Sequence, residues 1–418
     1  MNLPRTSLLA LFAAPAAFAQ CTPAWHALPG AAGGATSVNA FALWDPDGPG
    51  PKAPLLIAAG EFDTAGGVPC HNVAAWDGTV WSPLGEGFDQ PEVTALAVLP
   101  SGELVAAGSF TSSGGTPCAS VARWNGAAWQ QLGAGFNNVV YALTVSPEGD
   151  LYAGGFFTQS GATAANRVAR WDGAAWNPMG SGTSGGVYAL AALPTGQIVA
   201  GGLFQTASGR MVRNIALWDG TAWSAMGGGA NASILALGID AHGDLIAGGQ
   251  FTFIGSATAS RVARYSHGTW SAMGPGLNAQ PLCFTNLPSG DLVAAGHFFL
   301  SGGLSTPKVA RWDGAAWNPM GSGMDAYVMG LITLPTGDVV AGGGFSLAGG
   351  VGVDKIAVWS GRPACPADMT CDGFLDFFDY DLFVSAFETG DPAADFNHDG
   401  FLDFFDYDDF VSTFELGC

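Results

Sequence analysis

The chain has 418 residues, enough for two or more domains, with 63 glycines and only 11% charged residues. That composition disfavours a helical enzyme core and suits many short strands joined by tight turns. The formal net charge of −21 argues against nucleic acid as a partner, because phosphate binding needs a basic surface.

Residues 1–19 read as a signal peptide. Arg5 supplies a short positive region, residues 7–18 are apolar but for Pro15, and Ala17-Phe18-Ala19 forms an A-x-A cleavage site. The mature chain would begin at Gln20. A lipoprotein reading of Cys21 is the alternative, although Gln20 is a poor residue before a lipidated cysteine. No later segment reaches the roughly 18 uninterrupted apolar residues of a membrane span. The expected location is secreted, extracellular or at the cell surface, with the periplasm as the alternative compartment. Seven cysteines remain after cleavage. In an oxidising compartment some should pair, and an odd count leaves at least one over.

Residues 23–30 match, with Pro29 inserted before the glycine, a phrase W-x-x-[ML]-G that returns throughout the next 330 residues. Its longest form, V-A-R-W-D-G-A-A-W-N-P-M-G, stands at 168–180 and again at 309–321. The first aromatic of the phrase falls at Trp76, Trp124, Trp171, Trp218, Tyr265, Trp312 and Trp359, the first interval being 48 residues and the rest 47. A second phrase, L-P-x-G-x-L-V-A-G-G-x-F, alternates with it and closes on Phe62, Phe110, Phe157, Phe204, Phe251, Phe298 and Phe345. The third unit reads as strands at 140–146, 151–157, 167–171 and 175–179. Pro147-Glu148-Gly149 and Asp172-Gly173 supply its turns. Four strands in about 47 residues is one propeller blade, so residues 20–361 predict a mainly β, seven-bladed propeller.

The seventh third strand, 355–359, runs into Arg362-Pro363 with no fourth strand after it. The phrase at 23–30 is the missing strand. The N-terminal strand should therefore close the last blade, removing two exposed edges at once and placing Trp25 near Trp359.

This region resembles the kelch-type propellers. The matching features are Gly154-Gly155, Gly201-Gly202, Gly248-Gly249 and Gly342-Gly343 at the ends of second strands, and the Trp171/Trp176 pair around the following turn. The two aromatics lie five apart, closer than in the family's usual pattern.

The tryptophans read as inter-blade packing, and the Asp-Gly and Pro-x-Gly repeats as turn chemistry. Arg123, Arg170, Arg264 and Arg311 share one blade position, which points to structural pairing. Strand alternation puts the fourth-to-first and second-to-third connections, the longer ones, on one face, where binding is expected. One position there varies inside the repeated frame, the x of G-x-F: Glu61, Ser109, Phe156, Leu203, Gln250, His297 and Gly344. It reads either as a tailored ring for a glycan or protein ligand or as a drifting solvent position. No glycosidase carboxylate motif, nucleophile elbow, His-rich metal motif or phosphate loop is evident. Cys70 and Cys118 hold equivalent loop positions in neighbouring blades and suggest a disulfide; Cys283, in an inner strand, reads as a buried small hydrophobe.

After Pro363 the composition changes. Residues 365–418 hold 14 carboxylates and no lysine or arginine. Two segments repeat 27 residues apart. The second offers Asp395, Asn397, Asp399, the Phe401 carbonyl, Asp403 and Asp406 at loop positions 1, 3, 5, 7, 9 and 12, with Gly400 at position 6. That is EF-hand spacing, which surrounds one calcium ion with hard oxygens. The first loop offers Asp368, Thr370, Asp372, the Phe374 carbonyl, Asp376 and Asp379. Two calcium ions are expected, the first held more weakly through the neutral Thr370. An apolar, helix-like run follows each loop.

Loop then helix, twice, resembles a type I dockerin over residues 364–418. The ending Glu415-Leu416-Gly417-Cys418, with Cys365 at the start, is similar to the Gly-Cys-terminated dockerins of secreted planctomycete proteins. The resemblance implies a small α-helical module folded by calcium that binds a cohesin-like or envelope anchor partner. It also implies a Cys365–Cys418 clamp, with Cys371 as the odd thiol. Residues 10 and 11 of a dockerin loop meet the partner; here they are Phe377-Phe378 and Phe404-Phe405, where plant-wall dockerins carry polar residues. These rings suit either a hydrophobic partner or packing between the two halves.

Three functions compete. The chain is a non-enzymatic surface protein whose propeller binds a glycan or protein, or a tethered polysaccharide lyase or hydrolase, or a purely structural component. Acids, His and Tyr converging on the channel mouth would favour the enzyme; a lining of Ala, Gly and Val would sink it.

Overall fold

Period-2 alternation and a turn every dozen residues fold each repeat into one antiparallel sheet. The computed structural model describes residues 23–28, 32–34, 36–48, 50, 52–89, 91–360, 367, 369, 377–397 and 401–416. Seven four-stranded sheets form the propeller, whose unit spans Ala24–Trp359. Blades are numbered in chain order. In blade 3 the strands are Val140–Val145, Leu151–Gly155, Val168–Trp171 and Trp176–Pro178. Its second strand is buried at every residue, as expected of a strand covered on both faces. The Asp172-Gly173 turn is held by Asp172 Oδ1, which accepts from the Ala174 and Ala175 N–H groups at 2.9 and 2.8 Å.

Ring closure follows the sequence reading. The seventh blade is ordered Ala24–Ala27, Ile356–Ser360, Val339–Gly343, Val328–Thr333. Trp25 packs on Trp359 with ring centroids 5.3 Å apart. The Trp25 indole N–H also donates to the Met320 carbonyl of blade 6 at 2.9 Å. The same clip recurs around the ring: Trp129 to Leu84, Trp176 to Leu132, Trp223 to Met179, Trp270 to Met226 and Trp317 to Met273, at 2.8–3.2 Å. Each of these six tryptophans thus packs at the seam between two blades and satisfies a buried carbonyl of its neighbour, a bond that contributes about 1 kcal/mol.

Every first strand carries a β-bulge at the same place, which plain alternation did not anticipate. The extra residues are Asn39, Thr94, Tyr141, Tyr188, Leu235, Leu282 and Met329. The bulge explains the glycine of G-x-F. A Cβ on Gly60, Gly108, Gly155, Gly202, Gly249, Gly296 or Gly343 would overlap the main-chain carbonyl just before the bulge. The preceding position is freer. It is glycine in blades 3, 4, 5 and 7, and buried alanine in blades 1, 2 and 6 (Ala59, Ala107, Ala295).

The second-to-third connection is not a plain loop but contains its own two-stranded hairpin, Gln159–Ser160 with Thr163–Ala164 in blade 3. One side chain from the preceding connection secures it. Asp89, Asn137, Ser184, Asn231, Asn278 and Asp325 each accept from two successive hairpin N–H groups.

The C-terminal helical unit is built on α1, Phe377–Thr389, and α2, Phe404–Leu416. Its core pairs residues 27 apart. Phe383 stacks on Phe410 at 3.9 Å with planes 1° apart, and the Tyr380 and Tyr407 hydroxyls meet at 2.6 Å. The duplicated sequence therefore folds into two halves that face each other through equivalent residues. Gly390, at φ 70°, follows α1 in the left-handed position that ends helices. Among the described residues no helix is long and apolar enough to cross a membrane.

Candidate functional site

The bulge turns one extra side chain per blade towards the channel, and the G-x-F position lies beside it at the end of the second strand. Two rings of variable residues therefore meet at the long-loop mouth. The first is the one read from the sequence: Glu61 and Ser109 are half-buried, and Phe156, Leu203, Gln250 and His297 are exposed. The second, the bulge residues, was missed. Its signal was available, since the residue between Val and Ala varies in V-N-A, V-T-A, V-Y-A, V-Y-A, I-L-A and V-M-G.

The mouth is not seven-fold in chemistry. Blades 1 and 2 form a polar, acidic arc. Asn39 Nδ2 donates to Glu92 Oε2 at 3.0 Å and to the Val93 carbonyl at 3.1 Å. Burial raises the Glu92 pKa, opposed by the Asn39 bond and reinforced by the charge of Glu61. The Ser109 hydroxyl oxygen is buried without a hydrogen-bond partner.

Blades 3 and 4 form an aromatic arc. Tyr141, Phe156 and Tyr188 touch one another with centroids 5.6–5.7 Å apart. Gly186 makes room for it: a Cβ there would strike the Phe156 ring. The Tyr141 pKa is raised by burial, then by Glu92, so the aromatic and acidic arcs adjoin. Across the ring, His297 lies over Tyr327 at 5.4 Å, and Gly344 leaves the space that the Tyr327 ring fills. Burial and then the Lys308 charge hold the His297 pKa below its ordinary value, favouring the neutral imidazole.

Charge is also sorted between the two faces. From Val93 to Met324 the chain has nine carboxylates, and all nine lie in the turns joining first to second or third to fourth strands. There they pair with the repeated arginines: Arg123–Glu103 at 3.2 Å, Arg170–Asp150 at 2.7 Å, Arg264–Asp240 at 2.6 Å and Arg311–Asp291 at 3.3 Å. The long-loop connections of the same span carry Arg167, Arg210, Arg213, Arg261 and Lys308, and no carboxylate. Lys308 Nζ donates to the His297 carbonyl at 3.1 Å, and Arg261 Nη1 to the Gln250 carbonyl. Exposed large apolar residues share that face: Phe156, Leu203, Met211, Phe253, Phe299 and Leu304.

A cleft of about 360 Å³ lies on the opposite face between blades 5 and 6, lined by Asp240, His242, Arg264, Asp291 and Trp312. Its charges are already engaged with one another, since Arg264 meets both Asp240 and Asp244.

The structure corrects the expected Cys70–Cys118 bridge: both are free, buried thiols. Each packs in a different core cluster, Cys70 with Phe62 and Trp81, Cys118 with Phe88 and Phe110. Burial pushes the Cys70 thiol up to about 12 and raises Cys118 as well. Cys283 is half-buried and free, its thiol likewise raised by burial.

In the helical unit, Asp379 and Asp406 are fully buried at the starts of α1 and α2. Asp406 closes its loop, accepting from the Asn397 N–H at 3.1 Å and the Asp403 N–H at 2.9 Å. Asp395 is half-buried, and Asn397, Phe401 and Asp403 are exposed. The described residues of this loop offer hard oxygens, the donor type that calcium takes. Among the described residues alone, no three acidic, His or Cys side chains converge on a metal site. Asp368, Thr370, Asp372, Phe374, Asp376, Asp399, Cys365, Cys371 and Cys418 lie outside the described residues, as does the signal segment. The backbones of Phe377 and Phe378 begin α1, and Phe404 and Phe405 begin α2, 68% and 67% exposed. The packing alternative for this second pair is thereby excluded.

Residues 99–125 match the model of a family described as a domain of unknown function (DUF5122) beta-propeller. No curated protein matches the sequence. Among solved structures, the chain is similar to the extracellular domain of the putative hybrid two component system BT3049 from B. thetaiotaomicron. The TM-score is 0.54 at 10% identity, over 82% of this chain and 42% of that one. The extracellular domain of the putative one component system BT4673 from the same organism gives 0.53 at 10% identity, over 80% and 39%. The chain thus spans about two fifths of these structures. The WD40 beta propeller domain of Doa1 gives 0.52 at 12% identity, over 80% and 97%. At such identities the likeness is one of fold, a β-propeller.

Proposed function

We propose that this is a secreted binding protein whose propeller takes a glycan at its long-loop mouth and whose dockerin-like module serves as a calcium-dependent anchor. The observation that carries the reading is the aromatic arc of Tyr141, Phe156 and Tyr188 beside the Asn39–Glu92 arc. A half-exposed aromatic floor stacks on the apolar face of a sugar ring, and carboxylate and amide groups bond its hydroxyls. The likeness to extracellular domains and the A-x-A segment support an exported location. In the module, Asp395, Asn397, Asp399, the Phe401 carbonyl, Asp403 and Asp406 would hold one calcium ion. Asp368, Thr370, Asp372, the Phe374 carbonyl, Asp376 and Asp379 would hold the second. The ions would neutralise the loop carboxylates and fix the loops, as in the dockerins the segment resembles. A cohesin-like envelope protein is the anchor partner.

A glycan array, followed by calorimetry on the best ligand, tests the propeller site. Tyr188→Ala should abolish measurable binding while leaving the melting temperature within a few degrees. Unchanged affinity in that variant would remove the mouth from the function. The calcium reading is tested by circular dichroism with and without chelator, and fails if the helical signal is indifferent to calcium. A second reading has one observation in its favour: Glu92, its pKa raised beside Glu61 and Tyr141, has the character of a general acid in a polysaccharide-cleaving enzyme. Reducing-end release from a bound glycan, lost in Glu92→Gln with binding retained, would establish it.

A further inference from the structure

The exposed side of α2 combines two chemistries. Phe404 and Phe405 are followed one helical turn later by Asp408 and Asp409, all four exposed, so rings and carboxylates share one face. The opposite side faces the unit's core through Phe410, Val411 and Phe414. Asp408 and Asp409 lie beyond loop position 12, so calcium would leave their charge in place. The α1 counterpart has Asp381 and Leu382 at the matching positions, one carboxylate fewer.

The propeller offers the complement. On blades 5 and 6 the long-loop face exposes Phe253 (50%), Phe299 (52%) and Leu304 (48%) beside Arg261 and Lys308. Neither cation has an ion pair among the described residues; each donates only to a main-chain carbonyl. Lys308 Nζ sits 5.9 Å from the Phe299 ring centre, so charge and aromatic surface are adjacent here too. In a chain of net charge −21, a sector of unneutralised cations set among apolar side chains is matched by few surfaces, and α2 is one of them.

We propose that the Phe404-Phe405-Asp408-Asp409 face of one molecule docks on the blade 5–6 long-loop face of a second copy. The proposal rests on the reading of Phe404 and Phe405 as partner-binding residues, and it names that partner. Because the two surfaces differ, the contact is head-to-tail and extends beyond a dimer unless geometry closes it. The α1 patch would remain for the envelope anchor.

Sedimentation velocity of the full chain with calcium, over roughly 1–300 µM, brackets a weak contact. The mean mass should rise with concentration and return to that of the monomer in about 1 M salt, where charges are screened within about 3 Å. The double variant Arg261→Glu/Lys308→Glu should weaken association at least about 10-fold, roughly 1.4 kcal/mol. Asp408→Lys/Asp409→Lys should do the same, and combining all four reversals should restore it. Circular dichroism confirms that each variant is folded. A chain that stays monomeric throughout overturns the proposal, as does association that survives Phe404→Ser/Phe405→Ser or strengthens with salt. Capture on phosphatidylglycerol vesicles by a monomeric chain would assign the face to lipid and overturn it equally. A monomer that still binds an envelope protein with calcium would leave the anchor reading standing.

Discussion

The two faces of the propeller are built from the same repeat and have opposite characters. On the tight-turn face every carboxylate between Val93 and Met324 sits in a turn, and all but Glu148 hold backbone N–H groups or meet a repeated arginine. On the long-loop face the same span places cations without carboxylates, and the acids stand outside it, as Glu61, Asp63, Glu86, Asp89 and Glu92 in blades 1 and 2 and as Asp325 and Asp354 around blade 7. One face repeats its charges from blade to blade; the other is sorted and does not. What the repeat conserves serves the frame, and what it lets vary distinguishes one side of the mouth from another.

Three measurements test that contrast. The largest effect should come at the bulge. Gly155→Val drives a side chain into the Val139 carbonyl and should cost about 3 kcal/mol or more in urea unfolding. Gly173→Ala, in a tight turn at φ 96° with open space around it, should cost only about 1 kcal/mol of backbone strain. Equal costs would refute the bulge explanation. An intermediate effect belongs to the blade seams. Trp223→Phe keeps an aromatic ring but removes the pyrrole, leaving the buried Met179 carbonyl unpaired and a small cavity beside it, for about 2–3 kcal/mol. The smallest is local and confined to acid. Burial alone would raise the pKa of Asp89 and Asp325, but their hairpin N–H bonds outweigh it, so both lie below the ordinary carboxylate value. Their contribution is present above the unfolded pKa of about 3.9 and disappears as pH falls through the lower folded value. Hydrogen exchange should therefore loosen the Thr111–Ser112 and Ser346–Leu347 amides on acidification. The Thr158–Gln159 and Thr252–Phe253 amides, held by Asn137 and Asn231, should not respond. Parallel loosening in all four hairpins would show that the clips do not act separately.

Most of the fold was legible because the repeat is dense and its turns carry their own chemistry. Strand count, blade count and closure through Trp25 follow from where W-x-x-[ML]-G stands and where it is missing. The bulge was not legible, because one extra residue in a strand leaves apolar runs such as V-Y-A-L looking regular. With it went half of the mouth: Tyr141 and Tyr188 read as strand interior, whereas the bulge gives each a half-exposed position. The G-x-F residues were found by their variation alone, yet Gly344 varies for a packing reason, since it yields to Tyr327. The cysteine pairing failed because equivalent places in adjacent blades are places in different cores. In the helical unit, the duplicated pattern anticipated both helices, while which faces of α2 stay exposed depends on packing that no spacing rule specifies.

The strand Ala24–Ala27 pairs with Ile356–Ser360, more than 300 residues away in the chain. Synthesis from the N-terminus therefore presents the first strand of the propeller long before its partner exists. Six blades can assemble locally, each from neighbouring sequence, while the seventh waits for the whole array. The ring then shuts in one late step of high contact order, and the Trp25 indole completes its bond to Met320 only at that point. A molecule halted before residue 356 would expose a free strand edge at each end, which makes completion of the ring the event that separates a soluble product from an adhesive intermediate.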